Sequence, residues 1–410
     1  MKVLFLSDNF PPEVNAPATR TYEHCRRWVA AGAEVTVITC APNFPRGKLY
    51  PRYTNRLRAI ETVDGIRVVR VWSYMAANAG VALRTLDYFS FAAGAVVAGL
   101  SEKADLIVAT SPQFFTTWAG FALHVLKRRP WIFELRDIWP ESIAAVGTAI
   151  PTVAYRFLEW VELFLYRSAA RVVAVTPAFK RNLSDRGINP AKIEVVTNGA
   201  DVELFRERPL NRALRQSLGI DGKYVVGYIG TMGMAHGLGA ILAAAASIAS
   251  EPFHFLFVGD GASKADLVAK AVSLRLPNVT FHETVPKESV ADWLAACDAM
   301  LIPLRRADTF RTVIPSKIFE AAAMARPILL GVDGQARELV DAFGAGVYFE
   351  PENGEQLVAA LRTLAGERAL CERLAEGGRS LAQHYGRDRL AAQMLLILQE
   401  VAAGRAALPK

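Results

Sequence analysis

The stretch Tyr224-Val-Val-Gly-Tyr-Ile-Gly230-Thr-Met-Gly-Met-Ala-His-Gly237-Leu-Gly-Ala-Ile-Leu-Ala-Ala-Ala-Ala-Ser-Ile-Ala-Ser250 decides the fold. It runs 27 residues without Asp, Glu, Lys or Arg, long enough to cross a bilayer. Gly227, Gly230, Gly233, Gly237, Gly239 and His236 interrupt it, however, and it divides into three pieces. YVVGYIG reads as a buried strand, TMGMAHG as a loop and LGAILAAAASIAS as an Ala-rich helix. A strand, a glycine-rich loop and a helix open a βαβ unit. They do not make a membrane span.

The same alternation extends in both directions. Upstream, KVLFLSD, EVTVITC, IRVVRVW, DLIVATS, WIFELRD, RVVAVTP and IEVVTNG are short runs that are apolar on both faces. Downstream, FHFLFVGD, VTFHETV, AMLIPLR, PILLGV and AGVYFEP repeat the pattern. Such runs suit parallel strands covered by helices on each side. Between them lie helical patterns such as Ala18 to Ala31, where Tyr22, Cys25, Trp28 and Val29 share a face, with Pro17 before it and Gly32 after. The chain therefore reads as two doubly wound α/β units in series. The break falls in the charged stretch DVELFRERPLNRALRQSLGIDGK, giving expected domains over 1–203 and 204–385. A last helix over 386–410 is expected to return to the first domain. Ligands of open parallel sheets lie beyond the carboxyl ends of the strands, so the expected site is a cleft between the two sheets.

Composition agrees with large cores: 52% of the 410 residues are apolar and 21% charged, which excludes a disordered chain. Of the net charge of +7, residues 1–204 carry +6, from 24 basic and 18 acidic side chains. The bias is too diffuse for nucleic acid but suits an acidic substrate or an anionic membrane surface. Basic and aromatic residues interleave at Arg26-Arg27-Trp28, from Tyr50 to Arg58, and from Lys127 to Trp131; each is a solvated helix end or a lipid contact. Tyr88 to Leu100 is too short to span and reads as a buried or an interfacial helix. The four cysteines have no zinc or redox spacing. The opening MKVLFLSDNF has too few apolar residues for a secretory signal and reads as a strand.

The residues suited to chemistry follow strands. Gly230, Thr231, Met232, Gly233, His236 and Gly237 form a loop whose backbone is able to approach an anion, though it is neither a P-loop nor G-x-G-x-x-G; tight strand–helix packing is the alternative reading. Pro315, Ser316, Lys317 and Glu320 open a helix. Lys317 there opposes the helix dipole unless an anion lies between them, and Glu320 suits a ribose diol. A surface Lys–Glu pair is the alternative. Arg136 and Asp137, within ELRDIWPES, pair a cation and a carboxylate at a strand end, for a phosphate or a sugar hydroxyl or as a structural ion pair. Weaker signals are the Asn9 to Arg20 loop with Asn15, Thr19 and Arg20, the turn at Asn198, Gly259 after another strand, and the strand end at Val285 and Pro286. No metal-binding cluster is legible.

These motifs resemble the retaining glycosyltransferases of family four. The likeness rests on SDNFPPEVNAPATR, ELRDIWPES, TNGADVELF, GTMGMAHGL, VGDG and PSKIFEAAAMARPIL. More narrowly, the chain is similar to the branch containing amino-sugar transferases of O-antigen and capsule assembly. The resemblance implies the GT-B fold of two Rossmann-like domains facing a cleft. It also implies retaining, metal-independent transfer of a sugar, for instance an N-acetylated deoxyhexosamine, from a nucleotide diphosphate (most readily UDP). The implied acceptor is a polyprenyl-diphosphate-linked saccharide, and the implied location is cytoplasmic and peripheral at the inner membrane face. It places the donor on Gly230, Thr231, Met232, Gly233, His236, Gly259, Val285, Pro286, Pro315, Ser316, Lys317 and Glu320. The acceptor falls to Asn15, Thr19, Arg20 and Asn198, and catalysis to Lys317, Arg136 and Asp137.

The sequence departs from relatives in three places. Thr231 and His236 stand where many carry Arg and Lys on the diphosphate, Thr312 stands where the first of two glutamates is expected, and Arg136 replaces a frequent histidine. Lys317, Arg136 or Arg311 would supply the missing charge. Two other readings fit the same architecture: a nucleotide-sugar epimerase, and a non-catalytic nucleotide-sugar-binding protein.

Overall fold

The computed structural model describes residues 1–44, 47–75, 80–111, 113–139 and 151–404. Pro140 and Glu141, the end of the RDIWPE motif, lie outside that range. Two compact units emerge: Met1–Thr197 together with the chain from Asp388 onward, and Asn198–Arg387.

The first unit contains an eight-stranded sheet in the order β3-β4-β2-β1-β5-β6-β7-β8. Its strands are β1 (Lys2–Leu6), β2 (Glu34–Cys40), β3 (Arg58–Val63), β4 (Ile66–Val71), β5 (Leu106–Thr110), β6 (Trp131–Leu135), β7 (Arg171–Ala174) and β8 (Ile193–Val195). All pair in parallel except β3, which runs antiparallel to β4. Period-two alternation sends Val3 and Phe5 to one core and Leu4 and Leu6 to the other, so both faces of the sheet are buried. The edge strand β3 was not anticipated, because RAIETV alternates half-buried and exposed residues and is not an apolar run. Its signature was the two-residue turn Asp64-Gly65, with φ of 48° and 78°, the left-handed pair that a tight hairpin requires.

The second unit contains a six-stranded, all-parallel sheet in the order β11-β10-β9-β12-β13-β14. Its strands are β9 (Tyr224–Ile229), β10 (Phe253–Val258), β11 (Val279–His282), β12 (Ala299–Pro303), β13 (Ile328–Gly331) and β14 (Gly346–Tyr348). The order reverses between β9 and β12, as it does between β1 and β5 in the first sheet. Such switch points leave a crevice beyond the strand ends. β9 ends at the Gly230 loop. β1 and β5 end at Ser7-Asp8 and Ser111, beside the end of β6 at Arg136-Asp137.

The last helix, Arg387–Ala402, packs on the first unit: Leu390, Met394, Ile397, Leu398 and Val401 join Val3, Phe5 and Trp28 in one core. Trp28 Nε1 donates to the carbonyl of Ala391 at 2.9 Å. This removes the indoles of two basic–aromatic clusters as lipid contacts. Trp28 and Trp131 are both fully buried, Arg27 is ion-paired with Glu23 and Asp388, and Arg70 lies 4.9 Å from the ring of Tyr53 in the third cluster.

Candidate active site

In the second unit, three separated motifs converge on Lys317. The helix Lys317–Ala323 places this side chain against the Gly230 loop, where its ammonium donates to Tyr228 Oη at 3.0 Å and lies 4.3 Å from that ring's centroid. Gly230 leaves the space: a Cβ there would meet Lys317 Cε at 2.5 Å and Nζ at 3.1 Å, and its φ is 134°. Gly259 does the same one strand over, since a Cβ on it would sit 2.2 Å from the carbonyl oxygen of Gly230. Two glycines thus let the ends of β9 and β10 and one lysine share a single crowded spot.

Electrostatics follow from that crowding. Burial lowers the Lys317 pKa to about 8, with Glu320 opposing the shift. His236 stacks edge-on against Tyr228, its Nδ1 3.2 Å from the Gly233 backbone. Burial and then Lys317 push its pKa down to about 4, so it is neutral at pH 7 and adds no charge. Burial raises the Glu320 carboxyl, while Arg387, Lys317 and Lys287 pull it back. Lys317 is the cation held at the Gly230 end of the loop, while Arg305 lies at the Gly237 end, 3.9 Å from Glu352.

Several expectations for the loop need correction. Met232 is fully buried in the core, so its side chain is not offered to a donor. The amides of Gly230, Met232, Gly233 and His236 already donate to Val258 O, Asp260 O, His236 Nδ1 and Gly233 O, and those four do not form an open anion cradle. Thr231 is exposed, and its carbonyl accepts from the Tyr228 hydroxyl. The helix after Pro315 begins at Lys317 with Ser316 as an N-cap whose side chain makes no capping bond. Its 7 residues carry little dipole, so the lysine itself supplies most of the positive field. Val285 packs on the core and Pro286 is exposed, beyond the outermost strand β11. The Thr312 hydroxyl donates to Thr309 O at 3.0 Å inside a 3-10 turn.

Two open pockets border these residues. One, about 350 Å³, lies against Gly233, Gly237, Lys270 and Arg305. The larger, about 440 Å³, lies at the ends of β12 to β14 and includes Arg311 but not Lys317. Its arginines are engaged, Arg306 with Glu350 at 2.9 Å and Arg311 with Asp333 at 3.4 Å. Neither pocket includes Lys317 among its lining residues.

In the first unit, Arg136 and Asp137 follow β6, and both backbone amides donate to Ser111 Oγ, at 2.8 and 3.3 Å. The Arg136 guanidinium is buried, with Nη1 lacking a hydrogen-bond partner among the described residues. An unpaired buried donor is costly unless a ligand meets it. Burial lowers the Arg136 pKa to about 10, against the pull of Glu134, so it remains charged. Burial raises Asp137 to about 6, with Arg136 opposing, and it also raises Asp8. Arg20 belongs to this network but not to a substrate surface. It is buried, with Nε on Glu134 at 2.9 Å and its other nitrogens on the carbonyls of Thr197 and Val196. Asn15 caps the helix Ala16–Ala30, accepting from Ala18 N at 2.8 Å, and Thr19 is half-buried within that helix. Asn198 is half-buried at the start of the second unit.

Comparison with known proteins gives the family. Residues 15–199 match the family model "Glycosyl transferase 4-like domain" and residues 223–367 match "Glycosyl transferases group 1". The two models together span most of the chain, and it belongs to the GT-B glycosyltransferases. "Putative colanic acid biosynthesis glycosyl transferase WcaI" of Escherichia coli K12 is 24% identical over 375 residues, covering 88% of this chain and 91% of that protein. A "GDP-mannose-dependent alpha-mannosyltransferase" of Mycobacterium tuberculosis is 27% identical over 390 residues, with 93% of each chain covered. Among solved structures, Anabaena Alr3699/HepE in complex with UDP-glucose shares the fold, with a TM-score of 0.75 at 20% identity, covering 98% of this chain and 100% of that one.

Proposed function

We propose that this glycosyltransferase moves a sugar from a nucleotide diphosphate, UDP foremost, to a hydroxyl of a polyprenyl-diphosphate-linked saccharide, with retention of anomeric configuration and without a metal. The reading takes the branch of O-antigen and capsule assembly as its setting, and an N-acetylated deoxyhexosamine as one donor sugar that fits. The C1–O bond to the diphosphate breaks, a C1–O bond to the acceptor forms, and the acceptor's proton passes to the leaving oxygen. Charge builds on the diphosphate as the sugar becomes oxocarbenium-like, so stabilising that anion is the main catalytic task. Lys317 performs it, aided by Glu320 on the ribose. In the first unit, the Arg136 guanidinium and the Asp137 carboxyl address the acceptor or the sugar. The base lies toward Val285 and Pro286.

One observation carries the proposal: the Lys317 side chain lies where a Cβ on Gly230 would fall, at the loop whose own Thr231 and His236 bring no charge. The test is UDP release from UDP-sugars with and without a lipid-linked acceptor. Acceptor-dependent release that Lys317→Ala lowers by about 10²–10³-fold, with the fold intact, supports it. Isomerised donor formed without acceptor would indicate epimerase chemistry, and nucleotide binding without any release would indicate a binding protein.

A further inference from the structure

Outside the site, three helices of the first unit carry stripes of exposed apolar side chains, while others such as Leu57, Ile60 and Trp72 lie apart from them. On Thr152–Ser168, Val153, Phe157, Trp160 and Phe164 fall on one stripe of a 3.6-residue period, and Val153 and Trp160 are 83% and 62% exposed. The opposite side of that helix buries Glu162, Leu165 and Tyr166. The exposed rings stack along it, Phe157 on Trp160 at 6.2 Å and Trp160 on Phe164 at 6.1 Å between centroids. Phe164 then meets Phe121 of the helix Phe114–Lys127 at 5.1 Å. Phe115 of that helix meets Phe89 of Gly80–Ser101 at 6.4 Å. Gly80–Ser101 presents a second stripe, with Leu86, Phe89, Val97 and Leu100 exposed while Phe91, Ala95 and Ala98 are buried. Single exposed apolar residues are ordinary; a connected aromatic face across three helices marks a binding surface.

Cations outnumber carboxylates around this face, and the one carboxylate of Gly80–Ser101, Asp87, is half-buried. Phe114–Lys127 contains no acidic residue. On Thr152–Ser168 both carboxylates are drawn to Arg186, Glu159 at 3.2 Å and Glu162 at 2.7 Å. Arg156 and Arg167, by contrast, are exposed, one helical turn before Trp160 and one after Phe164. Lys127 donates to the carbonyl of Leu100 at 3.0 Å, with Arg128 and Arg129 exposed beside Val125 and Leu126. A second copy docking face to face would set these cations against their own images, because a two-fold interface pairs a patch with itself. An anionic bilayer satisfies both features at once: headgroups take the arginines, and the acyl boundary takes the rings.

We propose that this three-helix face seats the first unit on an anionic lipid bilayer, with Phe157, Trp160 and Phe164 entering the acyl boundary and Arg156, Arg167 and Arg128 among the headgroups. The inference rests on the proposed function and deepens it, since a polyprenyl-linked acceptor is held in such a bilayer. No helix among the described residues is long and apolar enough to cross it, so docking is lateral.

The test is co-sedimentation of the full chain with phosphatidylcholine vesicles, with and without phosphatidylglycerol, and with UDP thermal stabilisation read in parallel. Binding is expected to need phosphatidylglycerol. Phe157→Glu with Trp160→Glu is expected to lower the partition coefficient by more than about tenfold, and each of Arg156→Glu and Arg167→Glu by roughly fivefold. UDP stabilisation is expected to stay as in the parent. Equal binding to neutral vesicles overturns the proposal, as does undiminished binding of the variants. Loss of a dimer on size exclusion with vesicle binding unchanged assigns the face to self-association and overturns it too. Should the aromatic pair fail to fold, the arginine variants alone decide. Absence of UDP stabilisation in the parent counts against the proposed function and leaves the vesicle result standing.

Discussion

Lys317, half-buried, and Arg136, buried, are both cations near the switch point of a parallel sheet, yet they are held in opposite ways. Lys317 rests on an aromatic ring and a hydroxyl, with its one carboxylate neighbour, Glu320, three residues along the helix. Arg136 lies in the field of Glu134, Asp137 and Asp8. The lysine is therefore short of negative charge and poised near its titration point. The arginine stays charged, and its Nη1 lacks a hydrogen-bond partner among the described residues. On the proposed function, the difference suits the second unit to receive an anion and the first to grip a hydrogen-bonding group. The sharpest way to break the comparison is substitution of each in turn. Lys317→Ala is expected to weaken UDP binding and to lower turnover by about 10²–10³-fold, whereas Arg136→Ala should leave UDP binding intact and lower transfer to acceptor. Equal loss of UDP affinity in both variants would erase the distinction.

Gly230→Ala attacks the same contrast from the backbone. The added Cβ falls 2.5 Å from Lys317 Cε, at a φ of 134°. The side chain must move, and the backbone strain costs about 1–3 kcal/mol. A loss of UDP affinity of about tenfold is expected, measured by calorimetry, together with a lower melting temperature. Retained affinity would show that the lysine does not need its present place.

How much of this was legible in the sequence depends on range. The strands of the second sheet and the Gly230 loop announce themselves locally, because two-sided burial writes unbroken apolar runs and a close approach writes glycine. The meeting of Gly230 with Lys317 was only inferable from both following strands, and Tyr228, which holds the lysine, went unnoticed. A tyrosine inside a buried strand reads as core until its hydroxyl finds a partner 89 residues away. Arg20 misled for a related reason: its place after a proline-rich loop looked exposed, but Glu134 lies 114 residues on. Trp28 and Trp131 were misread among their basic neighbours, since flanking charge does not tell which way an indole faces. The aromatic stripe from Val153 to Phe164 hid within an ordinary helical period, because exposure is a property of neighbours.

Acidity offers a finer probe of the two cations. With its pKa lowered to about 8, the Lys317 ammonium is lost as pH rises through that value in the free protein, while Arg136, at about 10, is still charged. A diphosphate binds the protonated form, so UDP affinity is expected to be flat below pH 7 and to fall above pH 8 toward about tenfold per unit. Tyr228→Phe removes the hydroxyl that accepts from the ammonium but keeps the ring. It should move the fall to lower pH, with an effect of a few-fold at pH 8. An unchanged profile in that variant would deny Tyr228 its positioning role, since a merely structural residue would alter stability without moving the edge.

The smallest effect is expected at Arg311, and it matters because Arg311 was a rival for the missing charge. Its guanidinium is exposed and lies 3.4 Å from Asp333 and 3.9 Å from Asp308, in the pocket at the ends of β12 to β14. Exposed pairs of this kind contribute little, about 0–1 kcal/mol, and the nearby carboxylates cancel much of the field. The chain packs closely there: a Cβ at Gly334 would meet the carbonyl of Arg311 at 2.2 Å and its Cβ at 2.8 Å, atoms that Arg311→Ala leaves in place. Arg311→Ala should therefore leave UDP affinity and turnover within about twofold of the parent. A tenfold loss would mean that the diphosphate reaches toward β13 and that Lys317 shares its task.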